Sequence, residues 1–338
     1  MEAFLQPLQG LAEFEEIKKR CSVNRGILNI SGCMESQKVH LMYGLSGLFP
    51  CHLILADDER SAKEIYEDYR FYDKNVYFYP AKDLLFFQAD IHGNLLIRQR
   101  MRVIRALLEQ EEVTVVTSID GCMDFLMPLE KIRSSLLHFK SDSVIDLDQL
   151  KEELVELGYE RTGQVELPGQ FSVRGGIIDI YPLTEDNPWR IELWDDEVDS
   201  IRSFDAQSQR SLENLDDITI YPAAEQPMEK NGVSFLDYFE DQESILFLDE
   251  LNHLEENAKS VAEEFQQSCR NREEKGEANL SSKWMCTWEE LCHKLNNRNC
   301  AAMSLLDPRK SGWKITDQFN ITVKSMNSYQ SSFELLVK

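Results

Sequence analysis

The sequence predicts an α/β fold in which a parallel sheet is interrupted by an inserted α+β domain. Between residues 27 and 118, short apolar stretches alternate with helix-prone ones, as expected for a parallel sheet with crossover helices. From about residue 140 to 215 the pattern changes to one helix followed by hairpin-like strands. The apolar stretch SILFLDE at residues 244–250 returns to the first type, so it is expected to complete the first sheet.

The individual elements follow from apolar runs and the turn residues that bound them. In the first part of the chain we expect, in order, a strand, a turn and a helix start over 27–39, a helix through Tyr43, a strand over 51–56, a helix over 61–72, a strand over 75–80, a helix over 95–109 and a strand over 113–118. In the insert, a helix over 147–157 precedes strands separated by Arg174-Gly175-Gly176 and Asp186-Asn187-Pro188, which indicates a small antiparallel meander.

The chain is therefore divided into four predicted parts. The parallel-sheet domain is assigned to 1–135 and 212–260, and the insert to 136–211. Residues 261–283 are charged and helix-prone, which is typical of a solvated helix and linker. Residues 284–338 are predicted to begin a third α/β domain, and an apparent amphipathic helix ending at Lys338 predicts a fragment of a longer protein.

Composition excludes several classes of function. The 338 residues carry 60 acidic and 36 basic side chains, a net charge of −24, which disfavours passive binding to the phosphate backbone of DNA. The sequence has no run of 18 uncharged apolar residues and no secretion signal, so a cytoplasmic location without membrane contact is expected. The eight cysteines form no CxxC pair, and the spacing of Cys286, Cys292, His293 and Cys300 fits no common zinc pattern, so reduced thiols and no metal are expected.

The segment from Gly169 to Phe204 is the most informative part of the chain. It contains VRGGIIDIYPL and RIELWDDEVDSIRSFD, in which arginines recur through an otherwise acidic stretch. These motifs resemble the UvrA-binding module shared by the excinuclease B subunit, UvrB, and the transcription-repair coupling factors, and the resemblance extends over most of the first 255 residues. It implies that the parallel-sheet domain is RecA-like, of the P-loop NTPase type, and that the insert binds the protein UvrA.

The resemblance also assigns residues to the UvrA contact, namely Arg161, Phe171, Arg174, Arg190 and Glu192. Guanidinium groups suit such a surface because their planar forks bind carboxylates bidentately, and an aromatic neighbour supplies an apolar anchor. UvrB-like sequences carry an arginine where this chain has Ser172, which removes one expected ion pair. The residue pattern alone also fits a plain turn at Arg174-Gly175-Gly176, with Arg190 and Glu192 as a cross-strand pair on a solvated face.

A degenerate nucleotide site is expected at the turn between the first strand and its helix. A P-loop reads G-x-x-x-x-G-K-[ST], and Gly32 and Lys38 fit this pattern. Gln37 replaces the second glycine, where a side chain obstructs the phosphate cradle, and Val39 replaces the hydroxyl ligand of Mg²⁺. Since both functions of the loop are lost, no bound triphosphate is expected, in contrast to UvrB.

A second relic resembles a helicase DExH box. Asp249 and Glu250 follow an apolar strand, but Asn252 stands where the box has its histidine, and His253 falls one position late. Without a competent phosphate loop, the acidic pair has no nucleotide to hydrolyse. No catalytic residue and no cofactor is therefore expected in this chain.

Two further features bear on DNA binding. UvrB inserts an aromatic hairpin between DNA strands, whereas the corresponding stretch here, residues 77–108, is short and runs directly into a helix, so its aromatic residues are predicted to be core. Arg98, Arg100, Arg102 and Arg105 form a basic cluster on this helix. Because DNA binding requires a broader positive face, the arginines are predicted to form salt bridges with the acidic surroundings.

These observations predict a fragment of a transcription-repair coupling factor that recruits UvrA. The resemblance implies that the whole protein uses an ATP- and Mg²⁺-dependent motor to translocate on DNA and displace stalled RNA polymerase, through parts that lie beyond Lys338. One alternative is an excinuclease B-like helicase subunit that binds ATP and damaged DNA. A third interpretation, a stand-alone module that sequesters UvrA, requires Lys338 to be a natural terminus.

Overall fold

The computed structural model describes residues 2–23, 25–82, 93–225, 231–239, 244–275, 285–308 and 312–321. Its α-helices are Glu2–Gln9 (α1), Phe14–Cys21 (α2), Glu35–Ser46 (α3), Glu59–Tyr69 (α4), Gly93–Glu109 (α5), Leu129–Ser134 (α6), Leu147–Glu156 (α7), Leu251–Glu274 (α8) and Trp288–Asn296 (α9). Short 3₁₀ helices occupy Asp120–Cys122 and Phe235–Phe239.

The strands of the described residues fall into three sheets. They are Gly26–Ser31 (β1), Cys51–Ala56 (β2), Val76–Tyr79 (β3), Val113–Ser118 (β4), Leu137–Lys140 (β5), Glu160–Arg161 (β6), Gln170–Arg174 (β7), Ile177–Ile180 (β8), Trp189–Trp194 (β9), Glu197–Phe204 (β10), Ser211–Asn214 (β11), Asp217–Ile220 (β12), Ser244–Asp249 (β13), Asn299–Ser304 (β14) and Ile315–Asn320 (β15). The strands and helices predicted between residues 27 and 118 are confirmed, with boundaries shifted by one or a few residues.

The main sheet is parallel. Within the described residues it has seven strands in the order β15-β1-β14-β13-β2-β4-β3. Every residue of β1, β2 and β4 is buried, as expected for parallel strands covered on both faces. The return of the chain to this sheet at β13, after the insertion, is confirmed because β13 pairs with β2.

The prediction of a third domain from residue 284 is wrong. β14 and β15 flank β1 on its two sides, so the described residues after 284 complete the first sheet. Gly32, at the end of β1, has φ +83°, and a Cβ there would collide with the carbonyl oxygen of Ile321. Strand order in a sheet does not follow chain order, so a local sequence pattern could not reveal this pairing.

Helix α8 also belongs to this domain. The sequence predicted a solvated helix and linker over 261–283, but α8 runs unbroken to Glu274 and buries Phe265 and Cys269. Residues 276–284 lie outside the described residues, as do the predicted C-terminal helix at Lys338 and residues 83–92 of the stretch compared with the UvrB hairpin.

The insert is a mixed sheet with α7 packed against it. Its described strands follow the order β11-β10-β9-β8-β7-β6, antiparallel except for the β6–β7 pair. Leu150 and Leu154 of α7 share a core with Phe171, Ile178 and Ile191. The chain enters through β5 and leaves through β12, and these two strands pair with each other. The structure thus ends the insert after Ile220, later than the predicted residue 211.

The predicted salt bridges of the α5 arginines are confirmed. Arg98 and Arg102 both bind Asp186, at 2.6 and 2.7 Å, and Arg105 binds Glu185. Both acids belong to the turn between β8 and β9. The arginines therefore fasten the insert to the main domain.

A buried ionic cluster reinforces this attachment. The guanidinium of Arg100 is fully buried, 2.8 Å from Glu225, 3.5 Å from Asp124 and 4.2 Å above the ring of Tyr79. Lys82 provides a second cation for Glu225. Burial alone raises the pKa of Glu225, but the two cations outweigh it and lower that pKa to about 2. Glu225 follows β12, so the cluster binds the chain segment that leaves the insert to α5.

The same cluster predicts a pH dependence through Asp124. Burial raises the pKa of Asp124 from 3.8 to about 6, although Arg100 and Lys82 oppose the shift. This carboxyl therefore stabilises the fold most below about pH 4, and that contribution is lost as pH rises through 6. Asp124→Asn has no carboxyl to titrate and lacks this loss. We therefore expect the unfolding free energy of Asp124→Asn, relative to that of the wild type, to increase by about 2–3 kcal/mol between pH 4 and pH 7. Urea denaturation of both proteins measures the gap, and parallel pH profiles would contradict the expectation.

In the part of the chain that the structure describes, no helix is long and apolar enough to cross a membrane. The eight cysteines are buried free thiols. Among the same residues, no group of three or more His, Cys, Asp or Glu side chains is placed to hold a metal ion.

Candidate protein-binding face and degenerate nucleotide site

The outer face of the insert sheet carries the candidate binding residues. Side chains alternate across a strand, so Phe171 and Ile191 face the core while their neighbours face outward. Strand register places Ser172, Asp179 and Arg190 side by side across β7, β8 and β9, with Arg202 of β10 next in the row. This outward row is polar throughout, whereas the opposite face is apolar.

A buried carboxylate organises the row. The side chain of Asp179 is 1% exposed and accepts hydrogen bonds from Arg190 at 2.6 and 2.9 Å and from Arg174 at 2.8 Å. The hydrogen bonds with Asp179 raise the pKa of Arg190. Arg190 also lies 4.4 Å above the ring of Phe204 and is only 14% exposed, whereas Arg174 is 48% exposed. Arg190 is therefore held within the face, whereas the guanidinium of Arg174 is half exposed to solvent.

Glu192 belongs to a second ion pair on the same face. Its carboxylate accepts hydrogen bonds from Arg202 on the neighbouring strand, one of them 2.9 Å long. This hydrogen bonding lowers the pKa of Glu192. Arg190 and Glu192 stand on one strand and bind different partners, so the cross-strand pair between them that the residue pattern allowed is not formed.

Two of the residues assigned from the resemblance lie elsewhere. Phe171 is fully buried in the insert core and cannot be the apolar anchor of a surface, so this assignment is wrong. Its position in the alternation points it inward. Arg161 is exposed but stands opposite Phe171 in the strand register, and its charge acts on Asp148 at the start of α7. Arg161 therefore lies on the helix side of the sheet, apart from Arg174, Arg190 and Glu192.

Trp194 is the aromatic residue that the sequence reasoning missed. It ends β9, and its side chain is 82% exposed. Because Arg190, Glu192 and Trp194 are spaced by two, they share the outward face. The signal in the sequence was this spacing from Arg190, next to the turn residues Asp195 and Asp196.

Ser172 explains how the face tolerates the absence of an arginine at that position. Its side chain is buried, and its hydroxyl donates a hydrogen bond to the carbonyl oxygen of Gly163, 3.1 Å away. Asp179 opposite is satisfied by Arg174 and Arg190 instead. The smaller residue thus leaves no unpaired charge.

The residues of the predicted degenerate nucleotide site bind one another. Lys38, which in a P-loop reaches the phosphates, lies 2.7 Å from Asp249 and 2.6 Å from Glu250. Burial lowers the pKa of Lys38, but the two carboxylates outweigh it, and the net shift is upward. Lys38 of the first motif therefore pairs with both acids of the second, whereas in a P-loop the lysine pairs with a nucleotide phosphate.

Two further hydrogen bonds involve the same site. The side chain of Gln37 accepts a hydrogen bond from the backbone N–H of Met34, 3.2 Å away, at the start of α3. Gln37 therefore uses one of the N–H groups that would bind an anion at a helix N-terminus. Glu250 adopts φ +50°, and its carboxylate accepts a hydrogen bond from the N–H of Leu305 at 2.8 Å.

We accordingly expect a calorimetric titration with Mg-ATP to give no saturable heat. The reason is that Lys38 is already paired and that Glu35 adds negative charge to the cleft. Gln37→Gly with Val39→Thr is expected to recover at most weak binding, since Asp249 and Glu250 still hold the lysine. One tight site in the wild-type protein would contradict this expectation.

Comparisons with known proteins agree with this geometry. The family described as the UvrB interaction domain matches residues 137–225, which run from β5 through β12. The chain carries a UvrB interaction domain. The match begins and ends where the insert joins the main domain, close to the paired strands β5 and β12.

Curated relatives that match about half of the chain point the same way. The transcription-repair-coupling factor of Bacillus subtilis (strain 168) is 40% identical over 211 residues, which cover 58% of this chain and 18% of that protein. The transcription-repair-coupling factor of Staphylococcus aureus (strain MRSA252) is 34% identical over 163 residues, which cover 48% of this chain and 14% of that protein. The predicted relationship to the coupling factors is confirmed. The matched part spans less than a fifth of these relatives.

Proposed function

We propose that this coupling-factor region recruits UvrA through the outer face of its UvrB interaction domain. The observation that carries the proposal is the exposed pair of Trp194 and Arg174 on one sheet face, within a domain of that family. Aromatic and arginine side chains dominate the energetics of protein interfaces because they bury much area and bind carboxylates in a fixed geometry.

Rigidity supports the same role. Asp179 fixes Arg190, and Arg202 fixes Glu192, so the face has little conformational freedom to lose when a partner binds. The exposed Arg174 presents a positive charge in a protein whose net charge is −24, which favours an acidic patch on UvrA. The recruitment of UvrA in transcription-coupled repair is thus assigned to the insert.

The remaining activities of a coupling factor are assigned to other parts of such a protein. We propose that the ATP-dependent motor and the contacts with DNA and RNA polymerase reside outside this chain, in a cytoplasmic protein. Here the nucleotide site is occupied by Lys38, Asp249 and Glu250. This arrangement counts against the excinuclease B-like alternative, which requires bound ATP.

The test is a titration of UvrA against wild type, Arg174→Ala and Arg133→Ala. We expect Arg174→Ala to lower affinity at least about tenfold, a value between those of exposed and desolvated charge pairs. The fold should persist because Asp179 keeps both hydrogen bonds from Arg190. Arg133 is an exposed arginine on α6 that pairs with the exposed Glu130, so it controls for the loss of one charge.

Melting temperatures separate the outcomes. Weaker binding by Arg174→Ala at unchanged stability supports the proposal. Equal affinities of all three proteins, or a loss that follows a loss of stability, would contradict it.

A further inference from the structure

A large cleft opens at one edge of the main sheet. Its volume is about 920 Å³, and it lies where β1, β2, β13 and β14 end, between the starts of α3 and α8 and the side of α4. In open parallel sheets, ligands bind outside the carboxyl ends of the strands. The ancestral nucleotide position is part of this cleft, but Lys38 and its two acids fill only its floor.

The rim of the cleft is strongly acidic. Eight carboxylates line it, and two of them, Asp249 and Glu250, bind Lys38. The other six are Glu35, Asp57, Glu64, Asp68, Glu256 and Asp307. Among the lining residues Lys38 is the only lysine or arginine, and the imidazole of His253 lies 3.6 Å from Asp57. The cleft therefore repels phosphates and attracts cationic groups.

The same cleft exposes aliphatic side chains. Leu305 and Leu306, which follow β14, are 54% and 74% exposed, and Met34 at the start of α3 is 54% exposed. Ile65 of α4 contributes a further apolar surface. Adjacent large apolar side chains at a concave site mark a binding surface more often than isolated ones do. A small inorganic cation would leave these side chains unused.

We propose that this cleft docks a basic, leucine-rich polypeptide segment. Lysine or arginine side chains of the segment pair with the acidic rim, while its leucines cover Leu305, Leu306 and Met34. The segment thus occupies, with opposite charge, the cleft in which related folds hold a nucleotide. The proposal is independent of UvrA recruitment, because the cleft belongs to the main sheet and the UvrA-binding face belongs to the insert.

The experiment uses a fluorescein-labelled twelve-residue peptide of leucine and lysine and measures its anisotropy with the full chain. We expect saturable binding in the micromolar range at 150 mM salt, weakened at least about tenfold by the combined variant Glu64→Gln, Asp68→Asn, Asp307→Asn. The matched control neutralises three exposed acids of the insert, Glu213→Gln, Asp216→Asn and Asp217→Asn, and changes the net charge equally.

A second variant tests the apolar contact. Leu306→Ser is expected to weaken the peptide at least about fivefold, whereas Leu167→Ser, at a leucine of the insert that is 58% exposed, is expected to leave binding unchanged. Equal loss in both charge variants would reduce the effect to general attraction by an acidic protein and overturn the proposal. Absence of saturable binding, or binding insensitive to Leu306→Ser, would also overturn it.

Discussion

Arg100→Ala is expected to lower the free energy of unfolding by about 3–5 kcal/mol. The side chain is fully buried, and its removal leaves Asp124 without its nearest cation and Glu225 with Lys82 alone. A buried charge that has lost its partner keeps its desolvation cost without the compensating attraction. Urea denaturation at neutral pH measures the effect.

Arg133→Ala provides the control, since it removes an arginine from an exposed pair with Glu130. Its unfolding midpoint is expected to stay close to that of the wild type. If Arg100→Ala were equally mild, the cluster would not hold the insert to α5. The double variant Arg100→Met, Glu225→Met is expected to lose less unfolding free energy than the two single variants lose in sum, because it removes both charges together.

Trp194→Ala is expected to reduce the affinity for UvrA by about thirtyfold or more, equivalent to about 2 kcal/mol. The side chain is 82% exposed, so its removal should leave the melting temperature unchanged. An aromatic anchor buries a large apolar surface on binding, and truncation to alanine removes most of that surface. The measurement is the UvrA titration used for Arg174→Ala.

Leu212→Ala is the matched control for this variant. Leu212 lies on the edge strand β11 of the same sheet and is 53% exposed. We expect its affinity to match the wild type. Full affinity in Trp194→Ala would remove the aromatic anchor from the proposed interface, whereas a loss in both variants would show a broader apolar contact.

The sequence predicted what depends on local pattern. The alternation of strands and helices between residues 27 and 118 could be predicted because each element has its own hydrophobic period and its own turn residues. The pairing of β14 and β15 with β1 could not be predicted, because it joins residues about 270 to 290 positions apart. Short strands such as NCAAMS carry no mark of the partner they pair with.

The candidate binding face shows the same limit on a smaller scale. Phe171 and Trp194 are both aromatic residues beside arginine-containing strands, and only the direction of each side chain separates core from surface. Counting by two from the buried Asp179 or from Arg190 gives that direction once the register is known. The resemblance identified the insert as the candidate binding domain, whereas the alternation of side chains along β9 places Trp194 on its surface.

At the predicted degenerate nucleotide site, too, the sequence predicted only part of the arrangement. Gln37 and Val39 led the sequence to predict that phosphate and metal binding are lost. The replacement of the phosphate by carboxylates was hidden, since Lys38 and Asp249 are 211 residues apart in the chain. Such a contact follows only from the packing of β13 beside β2 and β14.

The ion triad of Lys38, Asp249 and Glu250 has a consequence for how this domain responds to the state of the cell. In a working P-loop domain, the arrival and hydrolysis of a nucleotide change the shape of the site, so the protein follows the ratio of ATP to ADP. Here the counter-charges are part of the polypeptide and never leave. The domain is therefore expected to hold one shape whatever the cellular ratio of ATP to ADP.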